Sequence, residues 1–220
     1  MKYIVMCGGS YEHWQTPRQL TPINGEPLVL RTIRLLREQG ITDIAVSVSG
    51  KHGEELFKSC ADAGVQLLSH KNTWVVHRPG HSSGYWCDAF FPTNEPTCYL
   101  MGDVVFSPEA IKTIVETETD DIEFFASAPP FAKNYMKRWA EPFAFKVVNT
   151  EHLRKAQEET RMLADKKKFR RSPIAWEFWQ VVKGTPINKI DYKNYTVIND
   201  YTCDIDVPAD TEKFRNIELD

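Results

Sequence analysis

The sequence predicts an α/β fold built on a parallel sheet, and three observations carry that expectation. The chain opens on a short apolar run ending in glycines, strand-like and helix-like segments then alternate, and a later apolar run ends at Gly102-Asp103 just ahead of a helix start. Strands alternating with amphipathic helices are what a helix-covered parallel sheet requires.

Lys2 to Cys7 reads as a buried strand that Gly8-Gly9-Ser10 turns into a loop. From Pro27 to Gln39, Leu28, Ile33, Leu35 and Leu36 fall near one helical face with arginines opposite, and Gly40 is a helix stop. Ile44 to Val48 is a second strand and His52 to Ala63 a second helix. Thr97 to Met101 is the strand that ends at Gly102-Asp103, and Ser107-Pro108-Glu109 opens a helix with an N-cap serine and a proline at the first position. Ile122 to Ala128 and Phe143 to Val148 follow as strands. Thr150 is the expected N-cap of a polar helix through Glu159; a charge run from Ala164 to Arg171 precedes an aromatic helix around Trp176 and Trp179, and Pro208 to Phe214 closes the chain as a short helix.

Neither repeats nor low-complexity linkers interrupt the 220 residues, so we expect one domain over 1–220, with an excursion around 129–185 as a lid or acceptor region. Apolar residues make up 42% and charged residues 26%, ordinary for a globular protein. A net charge of −3 and a pI of about 6.1 argue against nucleic acid as the partner. The opening apolar run is too short for a membrane span or a signal peptide. The five cysteines are scattered without a C-x-x-C pair, which fits a reducing cytoplasm better than a disulfide scaffold or a zinc site. A homo-oligomer is compatible with the sequence.

Three short blocks carry candidate chemistry. Glycines after a buried strand let backbone N–H groups converge on an anion, so Cys7, Gly8, Gly9 and Ser10 are candidates for a phosphate nest, and Arg18 for gripping phosphate oxygens. A plain tight turn is the alternative. Gly102-Asp103 lies at the carboxyl end of a strand, the edge where open α/β sheets bind ligands. Asp103 can hold a hard cation there or serve as a loop residue. Asp204 and Asp206 fall on one side of an extended segment, where Asp206 is either an N-cap of the closing helix or a metal ligand.

In this order the blocks resemble the nucleotidyltransferase (NTP transferase) family with a glycosyltransferase-A-like fold, which includes sugar-phosphate nucleotidylyltransferases and CTP-dependent cytidylyltransferases. Pro17-Arg18-Gln19-Leu20 and Gly25-Glu26-Pro27-Leu28 stand where the family has Pro-Lys-x-Leu and Gly-x-Pro-Leu. Gly102-Asp103-Val104 and Asp206-Val207-Pro208-Ala209-Asp210 stand at its two metal-binding aspartates, and His81-Ser82-Ser83-Gly84 at a small-residue loop that contacts the base. The resemblance implies a three-layer α/β/α architecture around a mostly parallel mixed sheet. It also implies Mg²⁺ on Asp103 and Asp206, base contacts from Ser82, Ser83 and Gly84, and phosphate contacts from Gly8, Gly9, Ser10 and Arg18, with Cys7 and Gly102 as further nucleotide-binding residues. The substrates would be an NTP, with CTP among the candidates, and a phosphorylated small molecule such as a sugar phosphate or phosphocholine-like acceptor, with release of pyrophosphate. Two departures stand out. The usual Gly-x-Gly-[Ser/Thr]-Arg is replaced by Gly8-Gly9-Ser10-Tyr11-Glu12, and the usual lysine by Arg18.

Other residues have both readings. Lys146 alternates with Phe143 and Phe145 and is either a second phosphate ligand with a catalytic role or an exposed strand lysine. Tyr85, Trp86, Trp139, Trp176 and Trp179 offer an aromatic surface for a sugar face or a quaternary ammonium, but the i, i+3 spacing of the last two favours packing. The basic run Lys166 to Arg171 is a solvated loop or a cover for the acceptor phosphate. Two competing functions also remain. A glycosyltransferase on the same fold calls for Asp-x-Asp at the strand end, where only Asp103 is acidic; a non-catalytic nucleotide-binding relative would follow from the altered glycine loop.

Overall fold

A computed structural model of the chain describes residues 1–8, 14–70, 85–128, 140–215 and 217–218. Its strands in chain order are β1 (Lys2–Met6), β2 (Pro22–Ile23), β3 (Glu26–Pro27), β4 (Ile44–Val48), β5 (Gln66–Ser69), β6 (Thr97–Met101), β7 (Val104–Val105), β8 (Ile122–Ser127), β9 (Pro142–Val147), β10 (Thr196–Ile198) and β11 (Cys203–Asp204). Seven of them form the central sheet, in the order β10-β8-β9-β6-β1-β4-β5. Only β9 runs against its neighbours, so the sheet is mixed and mostly parallel, as expected.

The helices are α1 (Leu28–Glu38), α2 (Gly50–Leu56), α3 (Lys58–Asp62), α4 (Pro108–Glu116), α5 (Thr150–Asp165) and α6 (Ala175–Val182). α1 and α4 touch each other on one face of the sheet, where Lys146 of β9 reaches the end of α4. α5 and α6 pack together over the other face, where Phe145 meets Phe178. Strand alternation puts Phe145 and Lys146 on these opposite faces. Among the described residues no helix is long and apolar enough to cross a membrane.

Local chemistry explains most boundaries. α1 stops where Gly40 takes a φ of +77° and the Ile41 N–H returns to the Leu36 carbonyl at 3.1 Å, a left-handed C-cap. β2 and β3 form a two-residue hairpin because Asn24 and Gly25 adopt φ of +49° and +88°, the positive values that such tight turns demand. The Ser107 side chain caps α4 by accepting from the Ala110 N–H at 2.9 Å, with Pro108 following.

Several elements differ from the sequence reading, and the two edge strands of the central sheet, β5 and β10, were not in it. The N-cap of α5 is Asn149, whose Oδ1 accepts from the His152 N–H at 3.0 Å, and the helix runs on to Asp165. The segment read as one helix from His52 to Ala63 is two, α2 and α3, broken at Phe57, which is buried in the core. Strand β5 escaped notice because its pattern has no alternation: both ends are exposed and the two middle residues half-buried.

The aromatic residues are largely core. Phe124 stacks on Phe145 with centroids 4.3 Å apart, and Trp176 meets Phe124 edge-on at 4.9 Å. Trp176 and Trp179 are each only 1% exposed, which decides for packing over a ligand surface. The Trp176 and Trp179 indoles donate to the carbonyls of Ala140 and Lys193.

β1 and β6 end side by side, and there the backbones come unusually close. The Gly102 N–H donates to the Met6 carbonyl at 3.1 Å, and a Cβ on Gly102 would collide with that carbonyl and lie 2.9 Å from the Cys7 Sγ. Gly102→Ala is therefore expected to destabilise the fold by about 2 kcal/mol, within the range for overpacking a tight site. A urea midpoint unchanged from the parent protein would contradict this.

Candidate active site

The site is assembled at the carboxyl end of β6 by a second, very small sheet. β7 follows Asp103 directly and pairs antiparallel with β11, Val104 opposite Asp204 and Val105 opposite Cys203. The Ile205 N–H then donates to the Asp103 carbonyl at 2.9 Å, carrying the pairing one residue further. Asp103 and Asp206, distant in sequence, are thereby brought to one place.

Buried polar contacts hold β11 where it is. The Ser107 Oγ donates to Asp200 Oδ2 at 2.6 Å, the Ser107 N–H to Thr202 Oγ1 at 2.9 Å, and the Thr202 N–H to Asp200 Oδ1 at 2.7 Å. Arg31 of α1, 1% exposed, donates to the Phe106 carbonyl and reaches the Tyr201 hydroxyl at 3.4 Å. Asp204 itself is buried, so the two acids read as sharing one side of the strand have different surroundings.

Arg18 lies between the two exposed-edge acids. Its Nη2 is 2.5 Å from Asp103 Oδ2, and its Nη1 is 3.1 Å from Asp206 Oδ1 and 3.3 Å from the Ile205 carbonyl. A 3-10 turn over Arg18–Leu20 aims the side chain, closed by the Leu20 N–H on Pro17 O and the Thr21 N–H on Arg18 O. The Arg18 Nε is buried with no hydrogen-bond partner among the described residues. A planar guanidinium can bridge two carboxylates in this way, whereas an ammonium presents a single charge centre.

Two contacts that the sequence did not reveal keep Asp206 in place. The Trp14 indole donates to the Asp206 carbonyl at 3.0 Å, joining the chain after the glycine loop to the late aspartate. Asp210 accepts at Oδ2 from the Asp206 and Val207 N–H groups at 2.9 and 3.0 Å. Asp210, not Asp206, therefore caps the closing 3-10 helix (Pro208–Phe214), and the Asp206 side chain turns to Arg18. Burial tends to raise the Asp210 pKa, but Lys213 and the two backbone N–H groups outweigh it and hold the carboxyl below its usual range. Trp14 and Asp210 have partners the local pattern cannot name; only the Asp four residues after Asp206, at the third helical position, hinted at a cap.

The remaining expected residues fall as follows. Cys7 and Gly8 lie at the end of β1 beside Gly102, and Gly9, Ser10, Ser82, Ser83 and Gly84 lie outside the described residues, as does Trp139. Burial pushes the Cys7 thiol well above its ordinary pKa, with Cys60 and the Asp103 carboxylate adding to the effect, so it stays a neutral filler at the end of β1. Lys166 to Lys168 are exposed, while Arg171 is tied to Glu177 at 2.6 Å. At the strand end Val104 and Val105 are buried, so the Asp-x-Asp of the glycosyltransferase reading has no counterpart.

The donor set fits Mg²⁺. Among the described residues no three His, Cys, Asp or Glu side chains converge. A cation between Asp103 and Asp206 would have two protein carboxylates and would complete its shell with phosphate oxygens and water, the habit of Mg²⁺.

Comparison with known proteins shows the family and the fold. The family model of the MobA-like NTP transferase domain matches residues 3–172. No curated protein matches the chain in sequence. Similar solved structures include the inositol-1-phosphate CTP transferase of T. maritima, at 16% identity and a TM-score of 0.57, covering 97% of this chain and 94% of that one. A Bacillus anthracis protein described as a glucose-1-phosphate thymidylyltransferase gives 14% identity and a TM-score of 0.63, covering 100% and 97%. CTP:phosphocholine cytidylyltransferase of Streptococcus pneumoniae gives 16% identity and a TM-score of 0.56, covering 96% of each chain. At these identities the likeness shows a common fold.

Lys146 corrects the sequence reading. It lies opposite Cys98 in the sheet register, three residues and roughly 10 Å back from the end of β6. Its ammonium donates to the carbonyls of Val115 and Thr117 at 2.9 and 2.6 Å, closing the end of α4, and burial lowers its pKa. Alternation identified its face of the sheet but not which end its side chain would reach. Lys146→Met is expected to cost about 1–2 kcal/mol of stability through two unsatisfied carbonyls, with nucleotide affinity unchanged by calorimetry. A loss of nucleotide binding in the folded variant would return Lys146 to the site.

Proposed function

The chain belongs to the MobA-like NTP transferase family and is a nucleotidyltransferase, and from that premise we propose that it transfers a nucleoside monophosphate from an NTP to a phosphorylated small molecule, releasing pyrophosphate. The observation that carries this reading is the convergence of Asp103, Asp206 and Arg18 at the carboxyl edge of the sheet, next to the strand that runs into the glycine loop. A site with two acids and one guanidinium suits polyphosphate with a divalent cation.

In this reaction an acceptor phosphate oxygen attacks the α-phosphorus in line, the new P–O bond forms, and the bond to the β-phosphate oxygen breaks as pyrophosphate leaves. The attacking phosphate is already ionised at neutral pH, so the chain needs no general base. The work of the protein is positioning and charge neutralisation. Gly8, Gly9 and Ser10 offer backbone N–H groups to the phosphates, and Arg18 leaves its carboxylates to donate to them. Ser82, Ser83 and Gly84 contact the base. Asp103 and Asp206 would hold Mg²⁺, which when bound neutralises charge on the phosphate oxygens.

The acceptor belongs to the class of phosphorylated sugars or choline-like alcohols. CTP is the first nucleotide to test, since two of the similar structures carry CTP in their descriptions.

Pyrophosphate release from each NTP paired with sugar 1-phosphates, inositol phosphate and phosphocholine tests the proposal. Turnover with at least one pair is expected, falling on the order of 10²–10³-fold in Asp103→Asn, the scale for removing a charge-stabilising group. No turnover with any pair, together with undiminished NTP binding in Asp103→Ala, would overturn it.

A further inference from the structure

We infer that Arg18 acts as an internal counterion that keeps the paired aspartates closed to divalent cations until a nucleotide draws it away. This rests on the proposed reading of Asp103 and Asp206 as the metal ligands.

The guanidinium occupies the space between the two carboxylates. Nη2 engages Asp103 at 2.5 Å, Nη1 engages Asp206 at 3.1 Å, and Nη1 also meets the Ile205 carbonyl at 3.3 Å. A divalent cation approaching both acids would meet a fixed positive charge within a few ångströms, and Coulomb repulsion at that range opposes its entry. Asp103 and Arg18 have side chains only 21% exposed, so water screens this repulsion incompletely.

The same contacts point to a second state. Among the described residues the buried Arg18 Nε has no acceptor, so the bridging arrangement leaves one strong donor unsatisfied there. A triphosphate bound at this edge of the sheet would offer oxygens to the guanidinium donors, and its charge would bring the cation with it. Exchange of carboxylates for phosphates on Arg18 would open Asp103 and Asp206 at the moment metal and nucleotide arrive together. Departure of pyrophosphate would let the guanidinium return and expel the cation.

The lock depends on arginine. An ammonium cannot span two carboxylates with separate nitrogens. The Arg18 found where the resembling family has lysine would thus be the residue that makes metal entry conditional.

Binding of Mn²⁺ alone, followed by electron paramagnetic resonance, tests this in the full chain. Without nucleotide, Arg18→Met is expected to bind Mn²⁺ at least about tenfold more tightly than the parent protein, with Arg18→Lys between them. With a non-hydrolysable NTP analogue the parent protein should match the variants. The tighter binding should vanish in Arg18→Met/Asp103→Asn and in Arg18→Met/Asp206→Asn. Nucleotide-free parent protein binding Mn²⁺ as tightly as Arg18→Met and Arg18→Lys, with Asp103→Asn still weakening it, would overturn the counterion role and leave the metal site standing. Mn²⁺ binding indifferent to both aspartates, with nucleotide present, would overturn the metal site and this inference with it.

Discussion

Two carboxylates that repel each other, Asp103 and Asp206, are held against one guanidinium, and the rest of the site depends on how the fold enforces that meeting. At the spacing a shared guanidinium imposes, about 5 Å, the bare repulsion would be about 3 kcal/mol at an effective dielectric of about 20. The Arg18 charge offsets it, while a backbone ladder prevents the acids from separating. The β7–β11 pairing and the Ile205 N–H on the Asp103 carbonyl fix the two chain segments independently of their side chains. Side-chain charge can therefore be rearranged without unfolding the site, which a binding and release cycle requires.

Each support of this meeting comes from a different part of the chain. Gly102 lets β6 end in contact with β1, placing Asp103 near Cys7. Arg31 of α1 and the Ser107–Asp200–Thr202 contacts hold the returning segment. Trp14 and Asp210 then set the last residue, Asp206, from either side. The aromatic core under α6 contributes rigidity at the far face and takes no direct part in the site.

Much of this was legible in the sequence. Glycines after the first strand, Gly102-Asp103 after a later one, and Asp206 before a proline-led turn are local signals, because glycine and proline mark backbone geometry wherever they occur. Arg18 was recognisable from its place in a motif, but its bridge between two acids was not, since that contact joins residues far apart in the chain. Trp14, Arg31 and Asp200 were missed for the same reason: each acts through a partner that only the folded chain supplies. Lys146 was misplaced because a period of two reports the face of a strand and is silent about how far along the sheet a long side chain reaches. The split at Phe57 and the strand β5 were set by tertiary packing, against weak local preference.

The most direct measurement is a crystal structure with Mn²⁺ and a non-hydrolysable nucleotide, read by anomalous scattering at the manganese edge. The account predicts one strong peak within coordination distance of carboxylate oxygens of both Asp103 and Asp206, with the Arg18 guanidinium turned onto the phosphates. Bound nucleotide with Arg18 still bridging the two aspartates, and manganese elsewhere, would contradict it.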